Sequence, residues 1–217
     1  MYLAYGVFYE GSSDAQYFDV LIPRILEDLI SKHAARTVDF PATPTVRLGA
    51  GGRTVERVAR EMCAARESVD LVFVHADTGG RNVEAGIGTR SDAYCACARD
   101  ACGFPSDCCI CIRVRHETEA WALGDPQAVS DALGFSGELD IPSGAAAAEK
   151  LLDPKAVLRD AVRAARGRRF RQTDIASLLP IIAQKQDIDR LLASTSFSDF
   201  YEDTASALAS LHAITRP

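Results

Sequence analysis

Three separate apolar runs in the first 114 residues are each followed within three residues by a carboxylate, and this arrangement limits the folds open to the chain. Tyr2–Tyr9 (YLAYGVFY) is followed directly by Glu10. Asp70–His75 (DLVFVH) is followed two residues later by Asp77, and Cys108–Val114 (CCICIRV) by Glu117 and Glu119. Runs this short and this uniformly apolar read as strands covered on both faces, the pattern of parallel sheets. Between them lie helical patterns. Ser12 and Ser13 precede Asp14, after which Phe18, Leu21, Ile22, Ile25, Leu26 and Leu29 fall on one helix face, with Pro23 inside it. Val46–Leu48 makes a short strand before the turn Gly49-Ala50-Gly51-Gly52. Helices are predicted from Thr54 to Arg66 and from Ser91 to Cys102.

Strands alternating with helices give an α/β fold with a mostly parallel central sheet flanked by helices. Beyond Asp125 the pattern is helical throughout, punctuated by Pro126, Pro142 and Pro154. The stretch Ser136–Ala148 (SGELDIPSGAAAA) is the natural boundary. The expectation is therefore an α/β core over 1–135 and a C-terminal helical extension over 136–217 packed on it.

In parallel α/β sheets the C-terminal ends of the strands form the ligand crevice. Carboxylates delivered there by several strands make a hard-oxygen set suited to a divalent cation such as Mg²⁺. Acids behind strands also occur simply because they favour helix N-termini. That explanation serves Asp14 well, and Glu10 and Asp77 less well, because Gly11 and Gly79-Gly80 beside them open the backbone to another group. Glu117 and Glu119 would share a side on a continued strand and diverge at a helix start, so either can be the ligand. Trp121 sits in an apolar helix start and reads as a core anchor.

Net charge is −6 with a pI of about 5.3, so the whole molecule does not attract polyanions. Between Asp153 and Arg171, however, Lys155, Arg159, Arg163, Arg166, Arg168, Arg169 and Arg171 face only Asp153 and Asp160, a local surplus of five positive charges. A solvated helix face would look the same; so would a phosphate-gripping patch. Arg81, two residues after the Gly79 that opens the Gly-rich loop Asp77–Gly88, and Arg90 beyond it are further candidates for phosphate contact, or plain solvated loop charges.

Six of the seven cysteines cluster at Cys95, Cys97, Cys102, Cys108, Cys109 and Cys111 without the paired knuckles of a structural zinc site. They are expected to be buried small apolar groups that bind no zinc and form no disulfide. The N-terminus lacks a basic leader and no apolar run reaches membrane-spanning length, so the expectation is a cytoplasmic protein without membrane partners.

The stretch Glu10-Gly11-Ser12-Ser13-Asp14 resembles the E-G-x-[ST]-D opening of Toprim domains, found in topoisomerases, bacterial primases and overcoming-lysogenization-defect nucleases. His75-Ala76-Asp77 stands where that family has D-x-D. Arg115-His116-Glu117-Thr118-Glu119-Ala120-Trp121-Ala122-Leu123-Gly124-Asp125 is similar to the E-x-E-A-W-x-L-x-D signature of a Toprim-like family of unknown function. Asp187-Ile188-Asp189-Arg190-Leu191 and Ser196-Phe197-Ser198-Asp199-Phe200 are similar to its C-terminal segment. The resemblance implies a Toprim-like (Rossmann-like) core and phosphodiester chemistry dependent on Mg²⁺ or Mn²⁺, with no organic cofactor. Glu10, Asp77 and Glu119 would hold the metal, Glu117 would be a further catalytic candidate, and Asp14 would support the site. It also implies a defence-system effector acting on DNA or RNA beside an ATPase encoded nearby. His75 replaces the first aspartate of D-x-D, which removes a hard ligand. The alternative is a module that has lost catalysis and docks on the ATPase. The sequence places no topoisomerase tyrosine and no primase zinc module.

Overall fold

The computed structural model describes residues 1–49, 51–76, 90–171 and 173–215 of the chain. Its residues group into two compact units, one of Met1–Gly11, Pro23–Arg113 and Phe200–Pro217, the other of Ser12–Ile22 and Val114–Asp199.

The first unit holds a four-stranded sheet of β1 (Tyr5–Tyr9), β2 (Val46–Leu48), β3 (Leu71–His75) and β4 (Cys109–Ile112). The strand order is β2-β1-β3-β4 and every pairing is parallel. Parallel neighbours need crossovers, which helices supply. The chain runs through α1 (Ser12–His33) between β1 and β2, and through α2 (Val55–Ala65) between β2 and β3. Helix α3 (Ser91–Cys102) then precedes β4. All five residues of β3 are buried, as a central strand covered on both faces requires. Tyr5 and Phe73 meet edge to face on neighbouring strands, and Phe73 meets Phe200 in the same way.

The β1–β2 connection leads to one side of β1, and β3 pairs on the other. The order therefore reverses between β1 and β3, the point at which open α/β sheets bind ligands beyond the strand ends. Register pairs Tyr9 with His75 and His75 with Ile112, so Glu10 follows the strand end at this switch point.

The second unit is helical among the described residues. It comprises the start of α1, then α4 (Glu119–Ala122), α5 (Pro126–Leu133), α6 (Ala145–Ala148), α7 (Pro154–Arg166), α8 (Thr173–Lys185), α9 (Ile188–Leu191) and the first residues of α10 (Thr195–Ser210). Helices α5 and α7 open with an aspartate cap and a proline in the first turn: Asp125 accepts from the N–H groups of Gln127 and Ala128, and Asp153 from that of Ala156. Trp121 is the core anchor that its apolar setting indicates. It stands edge-on to Phe18 and to Phe197, and its indole N–H donates to Ser196 Oγ at 2.9 Å. Gln186 ties three segments together: it accepts from the Tyr17 hydroxyl at 2.8 Å and donates to the Trp121 carbonyl at 2.7 Å.

The cysteines correct one expectation. Cys108, Cys109 and Cys111 are buried, but Cys95 and Cys109 are joined in a disulfide. Helix α3 packs against β4 with the two Cα atoms 5.7 Å apart, inside the range a disulfide spans. Spacing along the sequence carries no information about that packing. Among the described residues, no helix is long and apolar enough to cross a membrane.

Candidate functional site

Each unit carries part of the acidic set. In the first unit, Glu10 follows β1 and meets a guanidinium. Arg90 donates from its two terminal nitrogens to the two carboxylate oxygens, at 3.0 and 3.1 Å, a fork-to-fork pair. A second cation, Arg53, lies 4.0 Å from the same carboxylate. Tyr94 closes the cluster by donating to the Arg53 carbonyl at 2.7 Å, and its ring lies against Phe8. Burial and the Glu10 charge push the Tyr94 hydroxyl above its ordinary pKa, while Arg90 and Arg53 pull the other way. The phenol therefore stays protonated at neutral pH and acts as a donor.

His75, at the neighbouring strand end, is buried. Its Nδ1 lies 3.3 Å from the Ile112 carbonyl of β4, so the ring is held against its own sheet. Asp77 and Arg81 lie outside the described residues.

In the second unit, Asp14 sits in the first turn of α1 and is 6% exposed. Thr118 donates its hydroxyl to Asp14 at 2.7 Å, and Glu119, 4% exposed, opens α4 directly behind Thr118. Asp14, Thr118 and Glu119 thus form one buried cluster. Burial raises the Glu119 carboxyl above its ordinary pKa, a backbone hydrogen bond and Lys155 oppose this, and the Glu117 and Asp14 charges add to it. Just before these residues, His116 takes a left-handed backbone conformation with φ 67°, a state that side chains other than glycine rarely adopt. It turns the chain between Arg115 and Glu117 and sharpens the entry to α4. Histidine enters this region more often than most residues do, but the sequence around it carries no turn signal.

The last acid of the E-A-W-x-L-x-D stretch has a structural role. Asp125, 2% exposed, accepts from the N–H of Asp187 at 3.0 Å and from Arg190 at 3.0 Å, in addition to capping α5. It joins the two sequence stretches that stand out by resemblance, so their shared residues include a scaffold as well as a candidate site.

The arginine run also takes a definite shape. Arg166, Arg168, Arg169 and Arg171, with Phe170 and Asp174, line a pocket of about 540 Å³. Arg166 is paired with Asp174 at 2.9 Å, and Arg163 lies over the Phe170 ring, 5.1 Å from its centre. Arg168 and Arg169 are exposed. Such a concentration of guanidinium groups suits phosphate or carboxylate ligands.

Asp14, Glu117 and Glu119 carry the hard oxygen donors that cations of the Mg²⁺ class take. Glu10 fits one less well, because its charge is met by Arg90. Among the described residues, no three His, Cys, Asp or Glu side chains stand together as a ready metal cage. No protein-family model, curated protein or solved structure matches the chain.

Proposed function

We propose that the chain is a Toprim-like effector that cleaves phosphodiester bonds with the aid of Mg²⁺ or Mn²⁺, acting on nucleic acid beside an ATPase. The observation that carries this reading is the buried Asp14–Thr118–Glu119 cluster. Two carboxylates are kept largely from water, and one has its ionised form disfavoured by that burial. A divalent cation would relieve both costs at once. When bound, such a cation would neutralise charge developing on a phosphoryl oxygen. Asp14 and Glu119 would hold it, with water filling the remaining positions, and Glu117 would accept a proton from attacking water. Arg166, Arg168 and Arg169 would grip the phosphate backbone away from the chemistry.

A specific observation favours a second reading, a binding module that docks on the ATPase without cleaving. The Arg90 fork already satisfies Glu10, and His75 is bonded to its own sheet where a Toprim site has a metal-binding aspartate.

The experiment is cleavage of single-stranded, duplex and transfer RNA or DNA with Mg²⁺ or Mn²⁺, with and without the ATPase. Cleavage lost in Asp14→Asn and in Glu119→Gln, with unchanged folding, supports the enzyme. Chelator-resistant cleavage ends the metal-dependent reading. Silence in every arm, together with ATPase binding, favours the docking module.

A further inference from the structure

We propose that Cys95, Cys109 and Cys111 form a thiol–disulfide exchange site, in which Cys95 trades its disulfide partner between the two β4 cysteines and small thiols reach the sulfurs through a surface pocket. The proposal is independent of the phosphodiester reading. Cys109 and Cys111 are two residues apart on a strand, so both side chains leave the same face, toward α3. Cys95 of α3 is bonded to Cys109, and the free thiol of Cys111 lies 3.3 Å from Cys95 Sγ. A third sulfur in contact with a disulfide is what exchange requires, because a thiolate must attack a disulfide sulfur directly.

The step balances without an oxidant. Cys111 loses its proton to solvent, and its thiolate attacks Cys95 Sγ. The Cys95–Cys109 bond breaks, a Cys95–Cys111 bond forms, and Cys109 departs as a thiolate that takes a proton back from solvent. Reduction follows the same geometry. One thiolate of a dithiol attacks Cys109 Sγ and expels Cys95; the second displaces Cys109 and closes a cyclic disulfide. Two electrons pass to the protein and the two dithiol protons end on Cys95 and Cys109.

Access comes from a pocket of about 210 Å³ lined by Asp107, Cys109, Ile110, Cys111, Arg113 and Asp203, with Ser206. Its volume suits a small uncharged dithiol, and Arg113 is already paired with Asp92 and Asp203, at 3.0 and 2.9 Å. The groups facing Cys111 set its reactivity. Burial pushes its thiol up to about 12, Arg113 pulls it down, and Asp92 of α3 and Asp203 of α10 raise it further. The thiol also donates to the Ser91 carbonyl at 3.4 Å. The resting state is thus a protonated Cys111 beside an intact disulfide, with exchange accelerating as pH rises.

The test is peptide mapping by mass spectrometry after acid quenching and alkylation, on the full chain. In Cys109→Ser incubated with 2-hydroxyethyl disulfide, a small uncharged disulfide, Cys95 is expected to link to Cys111; in Cys95→Ser both β4 thiols should be alkylated. In the unmodified chain, the rate at which the Cys95–Cys111 link appears should rise about tenfold per pH unit between pH 7 and 10, following the thiolate fraction. Dithiothreitol should reduce the folded protein without denaturant. Free Cys95 and Cys111 in oxidised Cys109→Ser would overturn the proposal. If that variant does not fold, the unmodified chain decides: no Cys95–Cys111 link at any pH overturns it, as does the lack of any Cys95–Cys109 bond without reductant.

Discussion

Arg90 holds Glu10 through both carboxylate oxygens, at 3.0 and 3.1 Å, at the point where the strand order reverses between β1 and β3. The arginine is well exposed and the glutamate is not, so the pair is partly screened by water. Such pairs contribute about 1 kcal/mol or less to stability. Glu10→Gln should therefore lower the melting temperature only slightly. Its consequence lies in charge. If Glu10 is a cation ligand, Arg90 competes for the same oxygens. Arg90→Ala should then tighten Mn²⁺ binding about fivefold, the roughly 1 kcal/mol that a unit charge at about 4 Å exerts in near-aqueous surroundings. Calorimetric titration of both variants checks this. Unchanged affinity in Arg90→Ala would mean that Glu10 is no cation ligand, and that the cation, where it binds, is held by other acids.

Asp125 joins two segments of the second unit. It caps α5 and accepts from the Asp187 N–H and from Arg190 while 2% exposed. Asp125→Ala leaves backbone N–H groups without an acceptor and leaves Arg190 with only the looser contact to Asp187, at 3.8 Å. Arg190 is half exposed, so its ion pair is screened and adds little; the loss comes mainly from the backbone N–H groups left without an acceptor, about 1–3 kcal/mol. Asp125→Asn keeps an acceptor for the cap and should cost less than half as much. Urea unfolding of the two variants measures the difference. Equal and small losses would mean that water replaces the carboxylate at no cost.

Which parts of this architecture could be read beforehand follows from the range of the interactions involved. Ser91–Cys102 has the bounds that its pattern predicted, and the short strand expected to include Val46–Leu48 is there, because both rest on local signals. The first strand begins at Tyr5, not Tyr2, because Leu3 donates to the Asp39 carbonyl and Ala4 to the Asp70 carboxylate instead of joining the ladder. The last strand stops at Ile112, since Arg113 turns to Asp92 and Asp203. Burial of Trp121 was legible from its apolar neighbours. The Glu10–Arg90 fork and the Cys95–Cys109 bond were not, because each joins residues whose proximity depends on where α3 comes to lie. The same holds for Thr118 and Asp14, 104 positions apart.

The arginine pocket makes a prediction in salt. Arg168 and Arg169 are exposed beside Phe170 and line the same pocket. If they grip backbone phosphates, binding of a single-stranded oligonucleotide should weaken linearly in log–log plots against salt. Each of Arg168→Ala and Arg169→Ala should reduce that slope by about 0.7, the value for one phosphate contact on a single strand. Neither change should affect stability by more than about 0.5 kcal/mol, because exposed positions away from the core seldom do. Fluorescence anisotropy across a salt series reads the slope. A slope unaltered in both variants would return these arginines to the solvated helix surface that composition alone suggests.

Glu119 separates a cation site from a structural acid by the sign of its effect on stability. Its folded pKa is raised, chiefly by burial, with Glu117 and Asp14 adding to the shift and Lys155 opposing it. A carboxyl whose folded pKa exceeds its unfolded value destabilises the fold when ionised. The cost is full above the folded pKa and disappears below the ordinary carboxylate range near 4.5. Glu119→Gln should therefore raise the melting temperature at pH 7–8, and the gain should shrink as pH falls through the raised pKa towards 4.5. Saturating Mg²⁺ should reverse the order at neutral pH. A cation that binds the folded wild type at a hundred times its dissociation constant adds about 2.7 kcal/mol. The glutamine variant, lacking a ligand charge, should gain far less. Melting curves over pH 4–8, with and without Mg²⁺, contain all of these outcomes. A variant that is less stable than the wild type at neutral pH, or that gains as much from Mg²⁺, would assign Glu119 to the scaffold and leave Asp14 and Glu117 without their buried partner in metal binding.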